Sequence, residues 1–156
     1  MTPDDDTGSL TPMQSALQQA RAAADRGEVP VGALVLAPDG TVLAEAGNEV
    51  EARGDASAHA EMLVMRAAAA RLGQTRLEGC TLVATLEPCP MCAAAASHFR
   101  VAQVMFGAYD PKGGGIEHGP RLYEQPGCLH RPHTIGGIHE REAASLLRHF
   151  FQALRS

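Results

Sequence analysis

Apolar positions along the chain switch repeatedly between a helical and an extended period. Met13, Ala16, Leu17 and Ala20 fall on one face at helical spacing. Ahead of them, Thr11-Pro12-Met13-Gln14 reads as an N-cap, a proline at the first helical position and a Gln placed to close a capping box, with Gly27 as the stop. Val29 to Leu36 is a β-rich run, Pro38-Asp39-Gly40 a turn, and Thr41 to Ala44 the returning strand of a hairpin. The polar stretch from Gly47 to Asp55 reads as loop. Ser57 is placed to cap a second helix from about Ala58 to Leu72, with Gly73 after it. Cys80 to Leu86 predicts a buried strand broken by Pro88, Met91 to about Phe99 a third helix, and Val101 to Phe106 a fourth strand. From Gly107 to Gly137 the pattern dissolves. Gly113-Gly114-Gly115, several prolines and scattered histidines predict loop, with a short helix near Arg121 to Glu124 and a short fifth strand at Thr134-Ile135. A last helix from Glu140 to Arg155 carries Ala143, Leu147, Phe150, Phe151 and Leu154 on its apolar side. The alternation predicts an α/β sandwich, with helices on both faces of one sheet. It forms a single domain over residues 11–156, with residues 1–10 as a disordered leader.

Composition narrows the classes. No apolar run approaches the roughly 20 residues of a membrane span. Asp4-Asp5-Asp6 stands where a secretory signal would be basic, which predicts a cytoplasmic protein. In that compartment four cysteines are metal ligands or free thiols rather than a disulfide framework. The net charge of −5 argues against a general polyanion binder, so no DNA partner is expected, and the lack of a long apolar run leaves no membrane expected either. Local basic side chains (Lys112, Arg121, Arg131, Arg148, Arg155) cluster in the C-terminal half, where a phosphate-binding rim could form.

The chemistry concentrates in Glu87-Pro88-Cys89-Pro90-Met91-Cys92 and His59-Ala60-Glu61. One His and two Cys are a set of ligands suited to zinc, and three protein ligands leave the fourth tetrahedral position open, as in catalytic sites. In an ideal helix His59 and Glu61 point about 200° apart, so both can serve one site only if it sits over the helix N-terminus. The same holds for Cys89 and Cys92 at the start of the third helix, where the dipole and unpaired N–H groups favour thiolate. Glu61 would then move protons between water and substrate. Other readings stay open on these residues alone. Cys89-x-x-Cys92 could be a redox pair, and Cys80, Cys128, His130 or His133 could complete a closed structural zinc site. Cys128-Leu129-His130 with His133 looks like a second metal site, although four Cys and seven His make such clusters expected by chance. Cys80 reads as a buried strand residue, and His98, His118, His139 and His149 as surface or satisfied histidines. Glu87 could be a surface acid or could hold the cysteine loop by hydrogen bonds.

His-x-Glu followed by Pro-Cys-x-x-Cys is similar to the signature of zinc-dependent nucleobase deaminases. Further segments narrow the likeness: Glu28-Val29-Pro30-Val31-Gly32-Ala33, Asn48, Ala58-His59-Ala60-Glu61, Thr85 to Cys92, Phe106-Gly107-Ala108, Asp110 with Lys112, and Phe150-Phe151. From Thr11 to Arg155 the chain resembles the bacterial tRNA-specific adenosine deaminases of the cytidine deaminase superfamily. The resemblance implies a three-layer α/β/α fold with a five-stranded mixed sheet, a homodimer, one zinc ion per subunit held by His59, Cys89 and Cys92, and Glu61 as proton shuttle. It implies deamination of the wobble adenosine of a tRNA anticodon to inosine. Asn48 would hydrogen-bond the flipped base, with Asp110, Lys112, Phe150 and Phe151 near the anticodon loop. The alternative within the same chemistry is a deaminase of free bases or nucleosides, guanine or cytosine among them. The chain departs from the family's pattern at Tyr109, at Asp55-Ala56-Ser57 and over Gly113 to His133, all on the rim rather than at the zinc ligands.

Overall fold

The computed structural model describes residues 9–155; most of the leader expected at residues 1–10 lies outside them. Helix α1 (Pro12–Asp25) opens on the expected capping box, in which Gln14 N–H donates to the Thr11 hydroxyl and Thr11 N–H to the Gln14 side chain. Strands β1 (Gly32–Leu36) and β2 (Val42–Gly47) form the hairpin. After them come a short helix α2 (Val50–Arg53), α3 (Ala60–Leu72), β3 (Thr81–Leu86), α4 (Pro90–His98) and β4 (Gln103–Ala108). A 3₁₀ turn (Leu122–Glu124), β5 (His133–Ile135) and α5 (Glu140–Arg155) complete the chain.

The strands make one five-stranded mixed sheet in the order β2-β1-β3-β4-β5. Strand β1 is antiparallel to both neighbours, whereas β3, β4 and β5 are parallel. Alternation along each strand divides the core, because successive side chains point to opposite faces. Ala33, Val35, Leu82, Ala84, Val104 and Phe106 pack with α3 and α4. Leu34, Val83 and Met105 pack on the other face with Met13, Ala16 and Leu17 of α1 and Ala143 of α5. The result is the three-layer α/β/α sandwich expected from the sequence.

Helix α1 can lie close to β1 because Gly32 has no side chain. A Cβ there would run into the Ala16 carbonyl oxygen and lie 2.7 Å from Ala20 N. Over-packing of this kind costs about 1–3 kcal/mol. Gly32→Ala is therefore expected to lower the melting temperature by about 2–12 °C in a calorimetric scan.

Three expectations are corrected. The stretch from Gly47 to Asp55 is not all loop, since α2 lies inside it. Its local sequence offers no cap, and Glu49 makes none; the buried Glu28, 23 residues upstream, accepts from Glu51 N–H at 3.1 Å and Ala52 N–H at 2.8 Å instead. Ser57 does not cap α3. Its N–H and hydroxyl both turn back to Asp55 Oδ1, and the N-cap is His59. Finally, the apolar side of α5 is only partly core. Ala143 is buried, but Phe151 and Leu154 are 41% and 68% exposed.

Candidate metal centre

Strand directions bring the site together. Because β1 is antiparallel to β2 and to β3, those two run the same way, and β4 is parallel to β3. The C-terminal ends of β2, β3 and β4 therefore meet at one edge of the sheet, the usual ligand edge of an open α/β fold. Asn48 follows β2, Glu87 and Cys89 follow β3, and Asp110 follows β4.

Two helices open at this edge. His59 is the N-cap of α3 and Cys89 the N-cap of α4, and neither side chain makes a capping hydrogen bond. Such a bond is worth about 0.5–2 kcal/mol, and here both side chains turn to each other instead. His59 Nδ1 lies 3.6 Å from Cys89 Sγ and 3.5 Å from Cys92 Sγ. All three ligand atoms lie within 4.8 Å of one another, and among the described residues they are the group able to hold a metal ion. A tetrahedral zinc with Zn–S about 2.3 Å and Zn–N about 2.0–2.1 Å requires N···S separations of about 3.6 Å. The residues fit the ion. Asn48 takes over part of the missing cap: Ala60 N–H donates to Asn48 Oδ1 at 2.8 Å. That bond fixes the amide's orientation, since an N–H must face the oxygen, and leaves the Asn48 NH₂ as the end available to a ligand.

The electrostatics agree with a cation site. The two thiols share one proton: the hydrogen bond from Cys92 holds Cys89 down to about 4 against its partial burial, with His59 adding to the effect. The same bond, with burial, pushes Cys92 up. His59 is raised, chiefly by its hydrogen bond to Cys89. A divalent cation would displace the remaining thiol proton, as metal binding to cysteine requires. Glu61, in the first turn of α3, is 3% exposed, and its Oε1 is buried without a hydrogen-bond partner among the described residues. Burial raises its carboxyl to about 7. An orphaned carboxylate oxygen is costly unless something at the site donates to it.

A cavity of about 580 Å³ opens over this group, lined by Asn48, His59, Glu61, Cys89, Asp110 and the aromatic pair Phe150–Phe151, among others. Cys92 lies behind, fully buried. Lys112 does not line it; it sits exposed on the next loop, its N–H donating to Asp110 Oδ1. Of the basic residues expected on a phosphate-binding rim, Arg131 donates to the Tyr123 and Gln125 carbonyls and Arg121 pairs with Glu124, so both are engaged in holding their own loop. Among the described residues, Cys128, His130 and His133 are not brought together as a group able to hold a metal ion. Cys128 donates to the His130 carbonyl and His130 Nε2 to the Val101 carbonyl, while Ser97 also bonds the His130 carbonyl.

Sequence reasoning missed the roles of two contributors, Glu28 and Arg26. Glu28 lines the cavity while holding α2, and Arg26 donates to the Asn48 carbonyl at 3.2 Å. Glu87 is not a surface acid; of its two expected roles it takes the hydrogen-bonding one, tying the turn that carries the cysteines to a second loop. It is 1% exposed and accepts from the loop after β4, at Asp110, Ile116, Glu117 and His118. Burial would raise its carboxyl, but those hydrogen bonds outweigh it and hold it below the usual range. No periodicity marks an isolated acid as buried, so only the pairing of elements reveals them.

The model for the cytidine and deoxycytidylate deaminase zinc-binding region matches residues 9–108. The chain belongs to this zinc-dependent deaminase family. The deaminase is 50% identical over 143 residues to the tRNA-specific adenosine deaminase of Agrobacterium fabrum, covering 92% of this chain and 93% of that protein. It is 45% identical to the tRNA-specific adenosine deaminase of Bacillus subtilis, over 92% of this chain and 88% of that one. A solved tRNA:A34 deaminase, studied for A-to-I editing at the wobble position of transfer RNA, superposes with a TM-score of 0.85. That alignment has 48% identity and covers 87% of this chain and 98% of that one. Among the described residues of the deaminase, no helix is long and apolar enough to cross a membrane.

Proposed function

We propose that this deaminase converts adenosine to inosine at the wobble position of tRNA, with Glu61 as the proton carrier and His59, Cys89 and Cys92 as zinc ligands. The observation that carries the reading is the unpartnered Glu61 Oε1, buried beside a three-ligand set at the floor of an open cavity. The choice of base and RNA is supported by near full-length likeness to tRNA-specific adenosine deaminases.

His59, Cys89 and Cys92 would hold a zinc ion, which when bound would supply the Lewis acidity that makes water a nucleophile near neutral pH. Glu61 accepts the proton that water loses as it adds to the ring carbon bearing the exocyclic amine. The same carboxyl passes that proton to the ring nitrogen, then takes the proton of the newly added hydroxyl and passes it to the exocyclic amine, so that the C–N bond breaks, the carbonyl forms and ammonia leaves. Glu61 suits this because its environment brings its carboxyl near neutrality. Asn48, its oxygen committed to Ala60 N–H, presents NH₂ donors to an acceptor on the base. Phe150 and Phe151, packed edge to face with ring centroids 5.4 Å apart, offer the far wall an aromatic surface on which an extruded base or its neighbour stacks. Asp110 and, beside it, Lys112 belong to the rim that the anticodon loop would meet. We further propose that residues 11–156 act as one deaminase domain, in a cytoplasmic homodimer. The sequence likeness supports the assembly, and the location of tRNA supports the compartment.

The test is incubation of the zinc-loaded protein with a tRNA carrying adenosine at position 34, followed by nucleoside digestion and mass analysis. Inosine at that position is expected. Absence of inosine, with ammonia released from guanine, cytosine or free nucleosides, would replace this reading with a free-base or nucleoside deaminase.

A further inference from the structure

Glu87 is buried at 1% exposure in the wall of the cavity, and the hydrogen bonds of its carboxylate run to the 110–118 loop. Its carboxylate is saturated. Oε1 accepts from Asp110 N–H at 3.1 Å and from His118 Nδ1 at 2.8 Å. Oε2 accepts from Ile116, Glu117 and His118 N–H at 3.1, 2.8 and 3.1 Å. Four of the five donors are backbone groups of one loop. That loop also lies against the cysteine turn: Gly115 N–H donates to the Pro88 carbonyl at 2.9 Å. Two of the three consecutive glycines exist for this approach. A Cβ at Gly114 would lie 2.5 Å from Glu87 Oε2 and 2.6 Å from the Asp110 carbonyl oxygen, and one at Gly115 would lie 2.7 Å from Pro90 N. The fastened loop carries Asp110 and Gly113, both in the cavity wall.

We propose that Glu87 is a positioning residue: its carboxylate fastens the 110–118 loop to the cysteine turn as one wall of the cavity, and so sets how tightly substrate is held rather than the rate of the chemical step. The consequence for tRNA rests on the function proposed above; the fastening itself does not. Glutamine cannot replace the glutamate here, because whichever way its amide turns, an NH₂ faces N–H donors. Gly114→Ala attacks the same contact from the loop side and leaves the carboxylate intact.

Zinc-loaded Glu87→Gln and Gly114→Ala proteins would be compared with wild type by zinc content, by amide hydrogen exchange of residues 110–118, and by KM and kcat on the A34-containing tRNA. Both variants are expected to keep stoichiometric zinc and to exchange those amides at least about tenfold faster. KM should rise about tenfold, with kcat within about threefold of wild type. Unchanged exchange in that loop, or a fall in kcat with KM unmoved, would overturn the proposal. If Glu87→Gln does not fold, Gly114→Ala decides alone. A wild-type protein that makes no inosine on tRNA would overturn the proposed function, while hydrogen exchange would still decide whether Glu87 fastens the loop.

Discussion

The Glu61→Gln protein is expected to bind zinc stoichiometrically and to lose deaminase activity by about 10²–10⁴-fold in kcat, the range of a general acid–base group. Glutamine keeps the shape of the side chain and so leaves the cavity and the three ligands in place. It cannot take the proton from water or return one to the leaving amine. The loss should not be traceable to unfolding. Glu61 is 3% exposed and its Oε1 has no partner among the described residues, so the native fold bears the cost of burying an uncompensated carboxyl. An uncharged amide relieves part of that cost, and the melting temperature should hold or rise. Zinc analysis, a thermal melt and inosine quantification on one preparation separate these outcomes. Full activity in a zinc-loaded Glu61→Gln enzyme would remove Glu61 from the mechanism and with it the deaminase assignment of this geometry.

Why Glu61 and the three ligands could be picked out of the sequence, whereas the role of Glu28, the partners of Glu87 and helix α2 could not, follows from the range of the interactions. His59-Ala60-Glu61 and Cys89 to Cys92 are local patterns, each at the opening of a helix that breakers mark, with Gly73 after the first and Pro88 ahead of the second, so their convergence over two N-termini could be anticipated from helix geometry. The strands and their faces were legible for the same reason: Leu34 and Val83 point away from Ala33, Val35, Leu82 and Ala84 because alternation is a two-residue rule. What the pattern hides is any element specified from a distance. Helix α2 has no cap of its own, because Glu28 supplies one from before β1. Asn48 serves the first turn of α3 across 12 residues, so Ser57, the better local candidate, is left to Asp55. The run Gly113-Gly114-Gly115 reads as slack chain, yet two of its members allow backbone to pack on Glu87 and Pro90. Helix α5 shows a continuous apolar side, but a stripe cannot say where the core stops. Its first half packs against the sheet, and its end at Phe150, Phe151 and Leu154 continues over the cavity.

Cys89→Ala is expected to abolish zinc binding, and with it the part of the protein's stability that depends on the metal. The wild-type site has three protein ligands, so removing one leaves a His and a fully buried Cys92, too few to compete with water and chelator for the ion. Zinc that binds the native state but not the unfolded chain stabilises by about 4 kcal/mol when free zinc is about 1,000 times its Kd. For a chain of this size that corresponds to roughly 8–16 °C in melting temperature. Added zinc should raise the wild-type midpoint by that order and leave the Cys89→Ala midpoint unmoved, and metal analysis after dialysis should find about one zinc per wild-type subunit and almost none in the variant. The effect should be concentrated where the ligands stand in for caps. His59 and Cys89 are N-caps without capping bonds, and Asn48 satisfies only one N–H of α3, so the ion is expected to add to what holds the first turns of α3 and α4. Hydrogen exchange should accelerate there in the Cys89→Ala protein and in chelated wild type alike, while β1 and β3, buried between the helical layers, remain protected. Stoichiometric zinc in Cys89→Ala would mean that the ion is held elsewhere, and the pairing of these two helix N-termini would then need another cause.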